Sequence, residues 1–88
     1  PGPGRGGDWD NSGSGEARRA VSGGKALPLA RVMPVVRKVA PGQVLEVDLQ
    51  RAVGGGWVYK FLVLSSGGAY REVIVDALGN RVIRVRER

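Results

Sequence analysis

Across Pro41-Gly42 the spacing of apolar residues changes from helical to alternating, and that change constrains the fold more than any other feature of the chain. Upstream, Leu29, Val32, Met33, Val36 and Ala40 follow the i, i+3, i+4, i+7 pattern of one buried helix face, with Arg31 and Lys38 on the opposite side. Downstream, Leu45, Val47 and Leu49 alternate with Glu46, Asp48 and Gln50, as a half-buried antiparallel strand requires. After a Val53–Gly56 turn, Trp57, Tyr59, Phe61 and Val63 share one face of a second strand and Val58, Lys60, Leu62 and Leu64 the other. Ser65–Gly68 turns the chain into a third strand, 70–77, and Gly79-Asn80 into a fourth, 82–86. The expected architecture is α+β: a four-stranded antiparallel meander with one main amphipathic helix, preceded by a short helix, packed on one face.

The short helix is expected from Ser14 to Val21, with Ser14 as its cap, Glu16 in the first turn, and Gly23-Gly24 ending it. Two turns are too short to be stable without a neighbour. Pro34 is the awkward residue of the main helix, because it lacks a backbone donor and crowds the preceding turn. The helix either kinks there or begins its regular part there. Residues 1–15, with six glycines and two prolines, are read as a flexible tail, and 16–88 as a single domain. The start, 1–7, has neither an initiator methionine nor an apolar signal core, and reads as a processed or truncated terminus.

Composition narrows the chemistry. Eighty-eight residues leave room for one sheet with a helix or two, not for a large active-site cleft. Without cysteine there is no disulfide framework and no thiolate metal site, and without histidine the commonest general base and zinc ligand are missing. Ser65 and Ser66 have no histidine to activate them, so no catalytic residue, metal site or cofactor is assigned and the chain is not expected to be an enzyme. No apolar run approaches the roughly 20 residues that span a bilayer. Fourteen Lys plus Arg against eight Asp plus Glu give a net charge of +6, which suits nucleic acid, anionic lipid or an acidic protein without choosing among them.

Three phrases, in order and spacing, resemble the PepSY domains of secreted bacterial proteins. They are Ala40-Pro41-Gly42-Gln43-Val44-Leu45-Glu46-Val47, the aromatic strand Trp57-Val58-Tyr59-Lys60-Phe61, and Arg71-Glu72-Val73-Ile74-Val75-Asp76-Ala77 with Gly79. Ala17–Val21 and Leu27-Pro28-Leu29 are similar to the lead-in of small exported members, and Leu78 stands where the pattern carries a polar residue. The resemblance implies a periplasmic or secreted, stand-alone module that binds another envelope or secreted protein, a peptidase of the thermolysin type being the implied target of inhibition. A propeptide acting in cis is not expected for a chain ending at Arg88.

Two candidate surfaces follow. With Tyr59, Phe61, Val73 and Val75 under the helix, Val58, Lys60, Leu62, Leu64, Tyr70 and Ile74 are left on the other face as an apolar patch with a polar rim, the composition of a protein-binding surface. A partly covered sheet, under the amino-terminal tail or a second copy, is the competing reading. The alternative site is Arg81, Arg84, Arg86 and Arg88, either an anion- or nucleic-acid-binding strand or an edge that resists pairing. Trp57, Tyr59 and Phe61 read as core beneath the helix in preference to a base-stacking row. Asp76 reads as a turn-former, and Glu46 and Asp48 as a solvated strand face that also suits a cation or basic partner.

Overall fold

The structure, a computed structural model, describes residues 15–88. Two helices precede four strands: α1 (Gly15–Ser22), α2 (Leu29–Val39), β1 (Gly42–Arg51), β2 (Trp57–Ser65), β3 (Tyr70–Asp76) and β4 (Arg81–Glu87). The strands form one antiparallel sheet in the order β1-β2-β3-β4, so the α+β meander expected from the alternating pattern is present. The expected cap Ser14 lies outside the described residues. Helix α1 begins at Gly15, the last residue assigned to the tail.

Helix α1 stops as its glycines dictate. Gly24, at φ +80°, donates its amide to the Val21 carbonyl while Lys25 donates to Ala20, the paired bonds of a Schellman ending. Ala17 and Ala20 are its buried residues, and Glu16 is tied to Arg51 at the end of β1 by a 2.8 Å ion pair. The Arg51 guanidinium also lies over the Trp57 ring, 5.3 Å from its centroid.

Helix α2 starts at Leu29 behind Pro28, so Pro34 lies inside it and does not begin it. Pro34 is exposed, and the carbonyl left without its amide belongs to Ala30, also exposed, where water can supply the bond. Val32 and Val36 are fully buried and Ala40 nearly so. Leu29 departs from the expected buried face: at the first helical position it is 38% exposed.

The core gathers Val32, Val36 and Ala40 with Phe61, Val63, Val73, Val75 and Ala77, and Ala20 and Ala26 join from the first helix and the connection. The connection is fixed by hydrogen bonds. The Leu27 amide donates to the Ala77 carbonyl at 2.7 Å, and the Tyr59 hydroxyl donates to the Leu27 carbonyl at 2.6 Å. The β3–β4 turn is attached to α2 in the same way, through Asn80 Nδ2 donating to the Arg31 carbonyl at 3.1 Å.

Strict alternation fails at two points, and both are in edge strands. In β1 the register shifts between Val44, opposite Val63, and Glu46, opposite Leu62, which leaves Leu45 as the extra residue of a bulge. Leu45 is therefore 41% exposed, and Val44 takes its place facing the core. In β4 the shift falls between Val82, opposite Val75, and Arg84, opposite Ile74, so Ile83 is the extra residue and is 57% exposed. Each bulge moves an apolar residue inward, Val44 and Val82, and a polar one outward, Gln43 and Arg81.

Candidate functional site

The sheet face turned away from the core is built in four cross-strand rows, because directly paired residues point the same way. One row is Gln50, Val58, Asp76 and Arg81. The next two are Asp48, Lys60, Ile74 and Arg84, then Glu46, Leu62, Glu72 and Arg86. The last pairs Gln43 with Leu64 and Tyr70, and extends to Arg88, whose amide donates to the Tyr70 carbonyl at 2.8 Å. All six residues of the first candidate surface and all four arginines of the second thus lie on one face. The two expected sites are a single surface, with acids on β1, apolar residues along β2 and β3, and arginines on β4.

The centre of this face is half-buried by its own neighbours. Val58, Leu62, Leu64 and Ile74 are each intermediate in exposure, while Tyr70 at the rim is 48% exposed. Glu72 sits among them with its side chain only 12% exposed, held by Lys60 at 3.3 Å and Arg86 at 3.0 Å. The hydrogen bond from Lys60, with the charges of Lys60 and Arg86 added, keeps the Glu72 carboxyl below its ordinary range against an opposing effect of burial.

Of the four arginines, Arg86 is therefore engaged by Glu72, and Arg81 lies beside Asp76. Among the described residues Arg84 and Arg88 make no ion pair. Among the same described residues Glu46 and Asp48, on the opposite edge, have no cationic partner either, and Asp48 accepts a 2.7 Å hydrogen bond from Gln50. A shallow, open depression of about 260 Å³ lies between these groups, bordered by Glu46, Asp48, Lys60, Leu62, Glu72 and Arg88. It is smaller and more polar than the enclosed apolar pockets that take small organic ligands.

Asp76 has a structural task. Its Oδ1 accepts the amides of Leu78 at 3.0 Å and Gly79 at 3.1 Å, closing the turn into β4. The Gly79 amide first, then that of Leu78 and the charge of Arg81, hold the carboxyl below its ordinary range, with burial opposing them. Ser65 is likewise used by its turn: its Oγ accepts the Ala69 amide at 3.2 Å. Tyr59 and Phe61, 4% and 0% exposed, belong to the core and have no ring face free to stack on a base. Trp57 is half-buried at the core's edge beneath Arg51.

Sequence reasoning read Glu46 and Asp48 as solvated alternation, and missed that each lies in one row with an arginine. The signal was present in their identities, but the alignment of Arg84 and Arg86 with them depends on the Ile83 bulge, which alternation does not mark. Among the described residues no helix is long and apolar enough to cross a membrane, and no three acidic groups converge to hold a metal ion. No family model, no curated protein and no solved structure matches the chain.

Proposed function

We propose that this chain is a non-catalytic protein-binding module that docks on its partner through the outer sheet face. The observation that carries the reading is the placement of Leu62 and Ile74: half-buried apolar side chains at the centre of a face, beside the Lys60–Glu72 ion pair and between the charged edges of Glu46, Asp48, Arg84 and Arg86, opposite the core. Apolar centre and charged rim are the arrangement of protein interfaces, where the centre is desolvated and the rim orients the partner. The partner's class comes from the resemblance of Ala40–Val47, Trp57–Phe61 and Arg71–Ala77 to PepSY domains. On that resemblance the partner is a secreted peptidase of the thermolysin type and the compartment is the bacterial periplasm or exterior.

The reading as an anion- or nucleic-acid-binding strand has less support. The arginines share their face with Glu46, Asp48, Glu72 and Asp76, which cancel most of the field a polyanion would feel.

The test is titration of purified thermolysin-type metallopeptidases with the chain, read as complex formation by calorimetry and as loss of peptide hydrolysis. Leu62→Asp and Ile74→Asp are each expected to weaken binding by about tenfold or more, since each places a charge in the desolvated centre. Circular dichroism of both variants is expected to match the parent, because neither side chain belongs to the core. Binding that survives both substitutions removes the outer face as the site, and no complex with any peptidase removes the peptidase.

A further inference from the structure

The outer face has a polarity that a generic docking surface does not need. Every row with a charge on β1 ends in an arginine on β4: Glu46 is in line with Arg86, and Asp48 with Arg84. Between the edges the charges cross over once, with Lys60 on β2 and Glu72 on β3, 3.3 Å apart. Such a surface is complementary to itself under one symmetry operation. Turning a second copy by 180° about an axis parallel to the strands, between β2 and β3, brings its β4 over the first copy's β1 and leaves each residue at its own height along the strand. Glu46 then faces Arg86 of the other copy, Asp48 faces Arg84, and Leu64 faces Tyr70. Lys60 then faces Ile74 of the other copy and Leu62 faces its Glu72, so that the Lys60–Glu72 pair of each copy borders the apolar side chains of the other. A two-fold axis across the strands does the opposite, setting acids on acids and arginines on arginines.

From this pattern we infer that the outer sheet face pairs with a second copy of the chain, face to face, about a two-fold axis parallel to the strands. The contact is isologous and closed, so it yields a dimer and no larger assembly. Aligned sheet-on-sheet packing accommodates it, with strands of the two copies near parallel within the usual rotation of about 30°. The edges do not compete, since bulges at Leu45 and Ile83 and the charged side chains beside them blunt both outer strands against continuation of the sheet.

The size of the face sets the strength. Four strands about 4.8 Å apart and about seven residues at 3.3 Å each give a footprint of roughly 19 by 23 Å. That is a planar area of roughly 440 Å², about half of the 800 Å² per partner that a standard specific interface takes, which places the contact among weak, transient ones. The dimer is accordingly weak, with a dissociation constant in the micromolar range or higher, and sensitive to salt because its edge pairs are exposed.

This inference rests on the reading of the outer face as a docking surface and names one occupant of it. Analytical ultracentrifugation of the full chain from about 10 µM to 1 mM at low ionic strength is expected to show a monomer–dimer equilibrium that weakens at 0.5 M salt. The pair Glu46→Lys/Asp48→Lys and the pair Arg84→Glu/Arg86→Glu are each expected to lower the association constant by about tenfold or more, because like charges then meet at both edges. Reversing all four together restores self-association, and an equimolar mixture of the two double variants forms a heterodimer. Circular dichroism reports whether each variant retains the parent fold. A monomer at 1 mM and low salt overturns the inference, as does a dimer indifferent to the reversals or one the fourfold reversal fails to restore. A monomeric chain that still binds a peptidase through Leu62 and Ile74 overturns this inference and leaves the proposed function standing. A dimer with the expected charge dependence and no affinity for any peptidase does the reverse.

Discussion

Tyr59 shows how much one side chain can hold when its two ends do different work. Its ring is buried beside Phe61, 5.9 Å between centroids, while its hydroxyl crosses to the Leu27 carbonyl at 2.6 Å. Leu27 in turn donates to Ala77, so one phenol joins the lead-in to α2, the central strand and the β3–β4 turn. Burial raises the Tyr59 pKa, which favours the protonated donor that this bond requires. Tyr59→Phe keeps the ring and removes the bond, and is expected to destabilise the chain by about 1 kcal/mol, the usual net value of one hydrogen bond. For a domain of this size that lowers the melting temperature by about 4–8 °C. Hydrogen exchange at the Leu27 amide is expected to quicken while that of β2 changes little; an unchanged Leu27 amide would show that packing alone holds the lead-in.

At the scale of elements, α2 is the piece most open to improvement. An interior proline costs a helix about 3 kcal/mol relative to alanine, and its stiffening of the unfolded chain returns about 1 kcal/mol at most. Because Pro34 is exposed and inside the helix, Pro34→Ala is expected to raise stability by up to about 2 kcal/mol, read as a higher urea midpoint with an unchanged slope. A lower midpoint would mean that the proline sets a bend the core depends on. The helices, the four strands and their order were legible because period and turn chemistry are local: Gly24, Gly42 and Gly68 all take positive φ at the boundaries they mark. Gly42 has a second reason, since a Cβ there would collide with the Leu64 carbonyl of the paired strand. The faces of the edge strands were less legible. Strict alternation sets Val44 with Glu46 and Val82 with Arg84, and only a bulge, decided by the competition between core and solvent, sends them apart. The candidate site suffered from the same gap. Its ten residues were recognisable by type, but that they form one surface follows from registers that no local signal encodes.

The molecule as a whole has an electrostatic plainness that yields a sharp expectation. With neither histidine nor cysteine, no side chain has an ordinary pKa between about 5 and 8.5. The resolved shifts move outward from that window: the Glu72 and Asp76 carboxyls are held low and the Tyr59 phenol high. A carboxyl whose pKa is lower in the folded than in the unfolded chain binds fewer protons when folded. Its stabilisation is complete above the unfolded pKa of about 4 and is lost as pH falls through the depressed folded value. A phenol raised by folding acts in the other direction, its contribution being complete below about pH 10 and lost as pH rises beyond. Thermal unfolding followed at about 10 µM in 0.5 M salt, where association is weakest, is therefore expected to give a flat melting temperature from pH 6 to 9, a fall in acid and a fall above pH 10. In Glu72→Gln the acid fall is expected to shrink, because the carboxylate held by Lys60 and Arg86 is gone while Asp76 still titrates. A transition near neutral pH would require a carboxyl strongly raised by burial. The same flatness extends to self-association, so that salt and charge reversal, and not pH between 6 and 9, are the variables that move the dimer.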